Sequence, residues 1–148
     1  MSLKERLNDA MKEAMKAKDS LRLSTIRLIR SAIKNREIDA RQELDDAGVI
    51  DVLSSLVKQR KESAQVYRDN QRPELAEKEE AELAILQEYL PAQLSLEELG
   101  TLIDETIAEL GASSQKDMGR VMKVVSAQTK GRADGKVVSE MVKERLSG

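Results

Sequence analysis

Basic side chains near the C terminus form the clearest candidate binding pattern in this sequence. Lys116, Arg120 and Lys123 recur at i, i+4 and i+7. At about 100° per residue, this spacing places the three cations in one narrow stripe of a helix. A row of mobile cations can contact successive phosphate groups. Including the turn and helix start that follow, the candidate nucleic-acid-binding residues are Lys116, Arg120, Lys123, Lys130, Arg132 and Lys136.

The backbone of the segment that follows the stripe is also predicted to be accessible to a ligand. Gly131 and Gly135 allow close approach, and the N–H groups at the start of the last helix could meet a phosphate. The segment contains no aromatic residue on which an unpaired base could stack. We therefore expect any bound nucleic acid to be a folded RNA that is read through its backbone. The alternative is a solvated helix face followed by ordinary glycine turns.

Two further basic features lie earlier in the chain. Arg27, Arg30 and Lys34 form a similar stripe, which is either a secondary binding surface or a solvated face neutralised by the acidic fourth helix. Arg60 lies in the middle of an apolar helix face, where a charge needs a partner or a route to water. We interpret Arg60 as half of a buried ion pair at the domain junction. A snorkelling edge residue and a binding residue are the alternatives.

The composition restricts catalysis. The chain has no Cys and no His, which excludes zinc sites of thiolate and imidazole ligands and every nucleophile system that depends on histidine. The paired acids Asp45-Asp46 and Glu79-Glu80 fall in a predicted cap and on a solvent-facing helix. We therefore expect no catalytic residue, no metal and no cofactor.

The overall composition favours an all-α fold with an aliphatic core. Of 148 residues, 40% are hydrophobic and 35% charged, with two Pro, two Tyr and neither Phe nor Trp. The net charge of −2 argues against nonspecific nucleic-acid binding, but the charges are unevenly distributed. Residues 1–41 and 112–148 carry balances of +5 and +4, whereas residues 42–90 and 91–111 carry −6 and −5.

Seven helices can be predicted from apolar periodicity and capping residues. Their approximate ranges are 2–17, 20–37, 47–70, 73–89, 96–110, 114–130 and 135–146. Leu90-Pro91 is the predicted domain boundary, because proline cannot continue a helix and disfavours helix in the residue before it. Residues 1–90 are thus predicted to form a four-helix unit and residues 91–148 a three-helix unit.

The sequence also bears on location. The N-terminal residues lack the apolar region of a secretory signal, and no run approaches the roughly 18–20 apolar residues of a membrane span. We therefore expect a cytoplasmic protein without a membrane partner.

Four stretches resemble the YqeY family and extend the resemblance over essentially the whole chain. They are Lys58–Ser63, Tyr89–Leu99, Asp117–Met122 and Lys130–Lys136. The most specific feature is the Lys-Gly-Arg-Ala-Asp-Gly-Lys run together with its distance from Asp117-Met118-Gly119. From about Pro91 onward the chain also resembles the tail domain of the GatB subunit of tRNA-dependent amidotransferases.

The resemblance implies a non-catalytic binding protein whose partner is tRNA or a tRNA-handling complex. It is to a non-catalytic part of a glutamine-dependent amidotransferase, so it does not predict an enzyme. Two alternatives remain. One is a protein–protein interaction module without RNA contact, and the other is an accessory factor of the amidotransferase, a carbon–nitrogen ligase with glutamine as amide donor.

Overall fold

Helices account for all the regular structure of residues 1–147, which are the residues that the computed structural model describes. This part of the chain contains seven α-helices, one short 3-10 helix and no strand, which confirms the all-α prediction. The helices are α1 (Leu3–Ala17), α2 (Ser20–Ala40), α3 (Asp46–Asp69), α4 (Pro73–Gln87), α5 (Leu96–Leu110), α6 (Met118–Thr129) and α7 (Gly135–Leu146), with the 3-10 helix Gln115–Asp117 directly before α6.

The chain divides into two compact units, the first spanning Met1–Leu90 and the second beginning at Pro91. The four-plus-three arrangement of helices is thus as predicted. Whether each unit is an independently folding domain remains a prediction.

The first unit packs α1 to α4 around an aliphatic cluster. Side chains from all four helices meet in it, and the fully buried ones include Leu7, Ile26, Ile29, Val49, Leu53 and Leu86. Burying one such side chain stabilises the fold by about 1.5–3 kcal/mol. Two polar contacts hold the start of α1: the Leu3 N–H donates to Asp46 at the start of α3, and Lys4 pairs with Glu37 of α2.

The second unit packs α5 to α7 around a smaller cluster. Its core consists of Leu99, Ile103, Val121, Val125, Val138, Val142 and Leu146. Gly100 leaves room for the Arg145 guanidinium, whose Nη2 would lie 2.7 Å from a Cβ at this position. That guanidinium reaches past Gly100 to Asp104, with Nε and Oδ1 2.7 Å apart.

Capping residues explain most of the helix starts. Ser2, Asp19, Asp45 and Ser95 each accept a hydrogen bond from a backbone N–H in the first turn of the helix that follows. Pro73 opens α4, where its missing N–H is not needed. These starts agree with the sequence prediction.

Some helix ends differ from the prediction. Helix α2 continues to Ala40, three residues past the expected end, and stops at Arg41, whose φ is +54°. The left-handed conformation usually falls on glycine, so Arg41 gives no sequence signal for a helix end. Leu21 and Leu28 of α2 are large apolar residues but are 38% and 37% exposed.

Among the described residues, none of the helices combines the length and apolar character that a bilayer crossing requires.

Candidate functional site

The first half of α6 and the 3-10 helix before it present three cations to solvent. Lys116, Arg120 and Lys123 are all exposed, while Val121 and Val125 on the other side of α6 are fully buried. We call these three cations the C-terminal basic row. A rise of 1.5 Å per residue gives the row a length of about 10 Å.

A carboxylate anchors the middle of the row. Arg120 Nη2 lies 2.8 Å from Asp117 Oδ1, and Asp117 also accepts hydrogen bonds from the N–H groups of Ser113 (2.9 Å) and Ser114 (3.3 Å). The Ser113 N–H and then the Arg120 guanidinium hold the pKa of Asp117 below its usual value. Asp117 therefore stays ionised and partly offsets the charge of Arg120, which remains 56% exposed.

The other two cations of the row are less constrained. Neither Lys116 nor Lys123 takes part in an ion pair within residues 1–147. Both ammonium groups can therefore reorient toward an anion.

The loop between α6 and α7 holds Lys130 and Arg132, which differ in environment. Lys130 is exposed, whereas Arg132 is half-buried and its Nε donates to the carbonyl of Ala92 at 3.1 Å. The Leu94 N–H donates to the Arg132 carbonyl at 2.9 Å, and the Gln93 amide donates to Gly131 at 2.7 Å. Arg132 thus fastens the segment before α5 to this loop, a role that its spacing in the sequence did not indicate.

The start of α7 is not the open anion site that the sequence suggested. Asp134 Oδ1 accepts the Lys136 N–H at 2.8 Å, so a carboxylate already occupies this helix N-terminus. Because the carboxylate would repel a phosphate, the backbone of α7 is a poor anion site here. The side chain of Lys136 is exposed.

The six candidate residues are therefore not equivalent. Lys116, Arg120 and Lys123 share one face, and Lys130 continues the same helical spacing at the end of α6. Lys136 projects from the next helix, and Arg132 is bound to backbone. We take the C-terminal basic row as the centre of the candidate site.

The second predicted stripe lies along the seam between α1 and α2. Arg27, Arg30 and Lys34 are exposed and line a groove of about 610 Å³. Lys4 and Asn8 of α1 also line it, and sequence reasoning missed them. The two-residue connection Lys18-Asp19 was the available signal, since a short connection makes α1 and α2 antiparallel neighbours.

Arg60 bridges two carboxylates of α4. Its Nε lies 2.8 Å from Glu82 Oε2 and 3.3 Å from Glu79 Oε2, and the three side chains are 17%, 17% and 21% exposed. Both partners belong to the first unit, and neither lies at the Leu90-Pro91 junction where we expected the partner. This arrangement stabilises the packing of α3 against α4.

Residues 1–147 contain no group of three or more acidic side chains that could hold a metal ion.

Comparison with known proteins assigns the chain to a family. The model for "Yqey-like protein" matches residues 4–146. Similar curated proteins are named "Altered inheritance of mitochondria protein 41, mitochondrial". The relative from Lachancea thermotolerans is 46% identical over 85 residues, 57% of this chain and 46% of the relative. The relative from Kluyveromyces lactis is 40% identical over 110 residues, 72% of this chain and 60% of the relative.

The matched part of the chain thus spans about half to three-fifths of the length of these relatives. Their names also show that the expectation of a cytoplasmic protein is wrong, because they are mitochondrial proteins by name. That expectation depended on the lack of a secretory signal and of a membrane span. Neither feature separates the cytoplasm from the interior of a mitochondrion.

Proposed function

Because the chain belongs to the YqeY family, we propose that it is a non-catalytic helical binding protein that contacts tRNA, alone or within a tRNA-handling complex, through the C-terminal basic row. The resemblance of the second unit to the GatB tail domain supports the choice of tRNA. The amidotransferase reaction itself finds no support in the chain, which has neither Cys nor His.

One observation carries this proposal. The C-terminal basic row is exposed along one side of α6, while Val121 and Val125 secure the opposite side in the core. The row can therefore contact an extended anion without disturbing the packing of the unit. Two of its three cations have no carboxylate partner within residues 1–147.

The absence of aromatic side chains from the second unit restricts the kind of contact that it can make with RNA. Both tyrosines of the chain, Tyr67 and Tyr89, precede Pro91, and there is no Phe or Trp. Bases cannot stack on the second unit, so recognition would depend on phosphates presented at fixed spacing by a folded RNA.

The test is the salt dependence of tRNA binding. We expect the variant with Lys116, Arg120 and Lys123 all changed to Gln to bind folded tRNA more weakly than the unaltered protein. Each lost phosphate contact should lower the slope of log affinity against log salt by roughly 0.7–0.9, so the slope should flatten by up to about 2–3. Glutamine is a good helix former, so α6 should persist, as circular dichroism can verify.

A matched control removes the same charge elsewhere. Lys12, Lys58 and Lys61 are exposed residues of α1 and α3, and changing all three to Gln should leave the slope nearly unchanged. Equal slopes for the two triple variants, or no tRNA binding by the unaltered protein at low salt, would rule out the proposal.

A protein partner without RNA is the second candidate. Leu96 is 68% exposed at the start of α5, beside the exposed carboxylates of Glu97 and Glu98. These carboxylates belong to residues 91–111, whose balance of −5 suits a partner protein with a basic surface. Free tRNA should displace a tRNA-dependent partner and leave a purely protein–protein complex intact, which separates the two candidates.

A further inference from the structure

A groove between α1 and α2 is lined by more basic than acidic side chains. Its volume is about 610 Å³, within the range of small-molecule sites. The lining includes Lys4, Arg27, Arg30 and Lys34, with Glu37 as the single carboxylate. The amide of Asn8 and the hydroxyl of Ser31 add neutral polar groups.

The packing of α1 against α2 places the two arginines at this seam. Arg30 Nη1 lies 2.9 Å from the sulfur of Met11, and Arg27 Nη2 lies 4.0 Å from the sulfur of Met15. A thioether is a weak acceptor, so these contacts orient the guanidinium groups without satisfying their donors. Each guanidinium keeps most of its N–H groups available for a stronger acceptor.

The only carboxylate of the groove is already engaged. Glu37 pairs with Lys4 and accepts the Leu44 N–H at 2.8 Å. These two contacts, the Lys4 ammonium first, hold the pKa of Glu37 below its usual value. Glu37 therefore remains ionised on Lys4, at one end of the groove, and does not neutralise the cations of α2.

The three cations of α2 that line the groove have no carboxylate partner among the described residues. Within residues 1–147, none of Arg27, Arg30 and Lys34 belongs to an ion pair. Five other arginines each have a carboxylate partner: Arg22, Arg60, Arg68, Arg120 and Arg145. The remaining arginines of residues 1–147 have no carboxylate partner either, so Arg27 and Arg30 are distinguished by lining one groove together with two lysines.

We propose that the α1–α2 groove is a binding site for a small polyphosphate anion. Arg27, Arg30 and Lys34 are spaced over about 10 Å of helix, a length that suits several linked phosphate groups better than one. The planar donor forks of the arginines match phosphate oxygens, and the lysine adds a mobile point charge. The groove has no aromatic lining, so it recognises the phosphates and not a base.

The probe is inorganic tripolyphosphate, titrated calorimetrically into the full-length protein at low salt. We expect saturable binding. Changing Arg27 and Arg30 to Gln should weaken it by about tenfold or more, since each arginine supplies charge-assisted hydrogen bonds. The single change Lys34→Gln, which removes no contact with α1, should weaken binding by a smaller factor and tests the site even if the double variant folds poorly.

Two controls make the outcome specific. Lys12 and Arg36 are exposed residues of α1 and α2 outside the groove lining, and changing both to Gln should leave tripolyphosphate affinity unchanged. The variant that lacks the C-terminal basic row should also bind tripolyphosphate with unchanged affinity. The experiment therefore tests this site independently of the proposed tRNA contact.

Three results would overturn the proposal. The first is no binding of tripolyphosphate to the unaltered protein at low salt. The second is an equal loss in the Lys12 and Arg36 control, which would indicate diffuse electrostatic attraction. The third is a loss of tRNA affinity in the Arg27 and Arg30 variant without any tripolyphosphate binding, which would assign the groove to RNA.

Discussion

At the scale of single residues, two arginines of α3 show how burial decides the value of an ion pair. Arg60 and Arg68 both pair with glutamates of α4, each with a shortest distance of 2.8 Å. The Arg60 side chain is 17% exposed and that of Arg68 44%. Glu79 Oε2, 3.3 Å from Arg60 Nε, is buried and has no hydrogen-bond partner within residues 1–147. It depends on the nearby positive charge alone.

We predict that Arg60→Ala destabilises the protein by about 1.5–3 kcal/mol. The value is below the roughly 3–5 kcal/mol found for fully buried pairs, because water still reaches all three side chains. Arg60→Met should cost less than Arg60→Ala, since it keeps the apolar stem in contact with its neighbours. Urea unfolding of the three proteins measures the difference.

Arg68→Ala is the matched control for this prediction. Its pair with Glu80 joins the same two helices but is exposed, so its loss should cost no more than about 1 kcal/mol. If both alanine variants lost the same stability, burial of the Arg60 pair would have no energetic consequence and our interpretation would be wrong.

At the scale of elements, the start of α5 links a sequence pattern to a pH dependence. Ser95 Oγ accepts the Glu98 N–H at 3.0 Å, and Glu98 Oε1 accepts the Ser95 N–H at 3.2 Å. The pKa of Glu98 lies below its ordinary 4.5. The larger cause is the hydrogen bond from the Ser95 N–H, and the second is the interaction with the Ser95 hydroxyl. The ionised carboxylate therefore stabilises the folded state.

The sign of this effect gives a prediction for Glu98→Gln. The stability contributed by Glu98 is complete above the unfolded-state pKa near 4.5 and is lost as the pH falls through the lower folded-state pKa. The variant should therefore melt below the unaltered protein at neutral pH, and the difference should shrink below pH 4.5. Melting temperatures across this range measure it.

Glu105→Gln controls for the loss of one negative charge from the same helix. Its side chain is exposed and forms no cap. A melting difference for Glu98→Gln that is the same at neutral and acidic pH would contradict the capping interpretation.

Sequence alone predicted the elements well where a helix start has a capping residue. Ser95 with Glu98, and Pro73 at a first helical position, gave the starts of α5 and α4 because their chemistry is local. The end of α2 at Arg41 adopts a left-handed conformation without glycine, and no local sequence signal indicates it. Helix α4 ends at Gln87 and not near Tyr89, which lies beyond it in a turn and is still buried.

The candidate sites likewise combine features that local sequence predicts with features that depend on tertiary packing. The outward face of Lys116, Arg120 and Lys123 follows from helical spacing relative to Val121 and Val125. The bond from Arg132 to the Ala92 carbonyl joins residues 40 positions apart, so no local pattern could predict it. The groove beside Arg30 likewise depends on which α1 residues face α2, which is set by tertiary packing.

At the scale of the whole molecule, each unit has its own hydrophobic core. The cluster of the first unit includes residues from Leu3 to Leu90, and that of the second from Leu94 to Leu146. No described residue belongs to both clusters. Burial within each unit therefore does not require side chains from the other.

We predict that residues 91–148 fold when expressed alone. A core of seven buried aliphatic residues gives a small domain of marginal but sufficient stability. Far-ultraviolet circular dichroism should show helix and a cooperative thermal transition. An unfolded fragment, obtained while the full chain folds under the same conditions, would mean that the second unit depends on the first.

The placement of the two tyrosines makes the two units differ in near-ultraviolet absorbance and fluorescence. Tyr67 and the buried Tyr89, whose ring lies beneath the Arg6 guanidinium at 5.6 Å, both belong to the first unit. With no tryptophan or phenylalanine in the chain, aromatic absorbance and fluorescence arise from that unit alone. The second unit, with its C-terminal basic row, is spectroscopically silent in the near ultraviolet. A single tryptophan introduced there would report on that unit without interference.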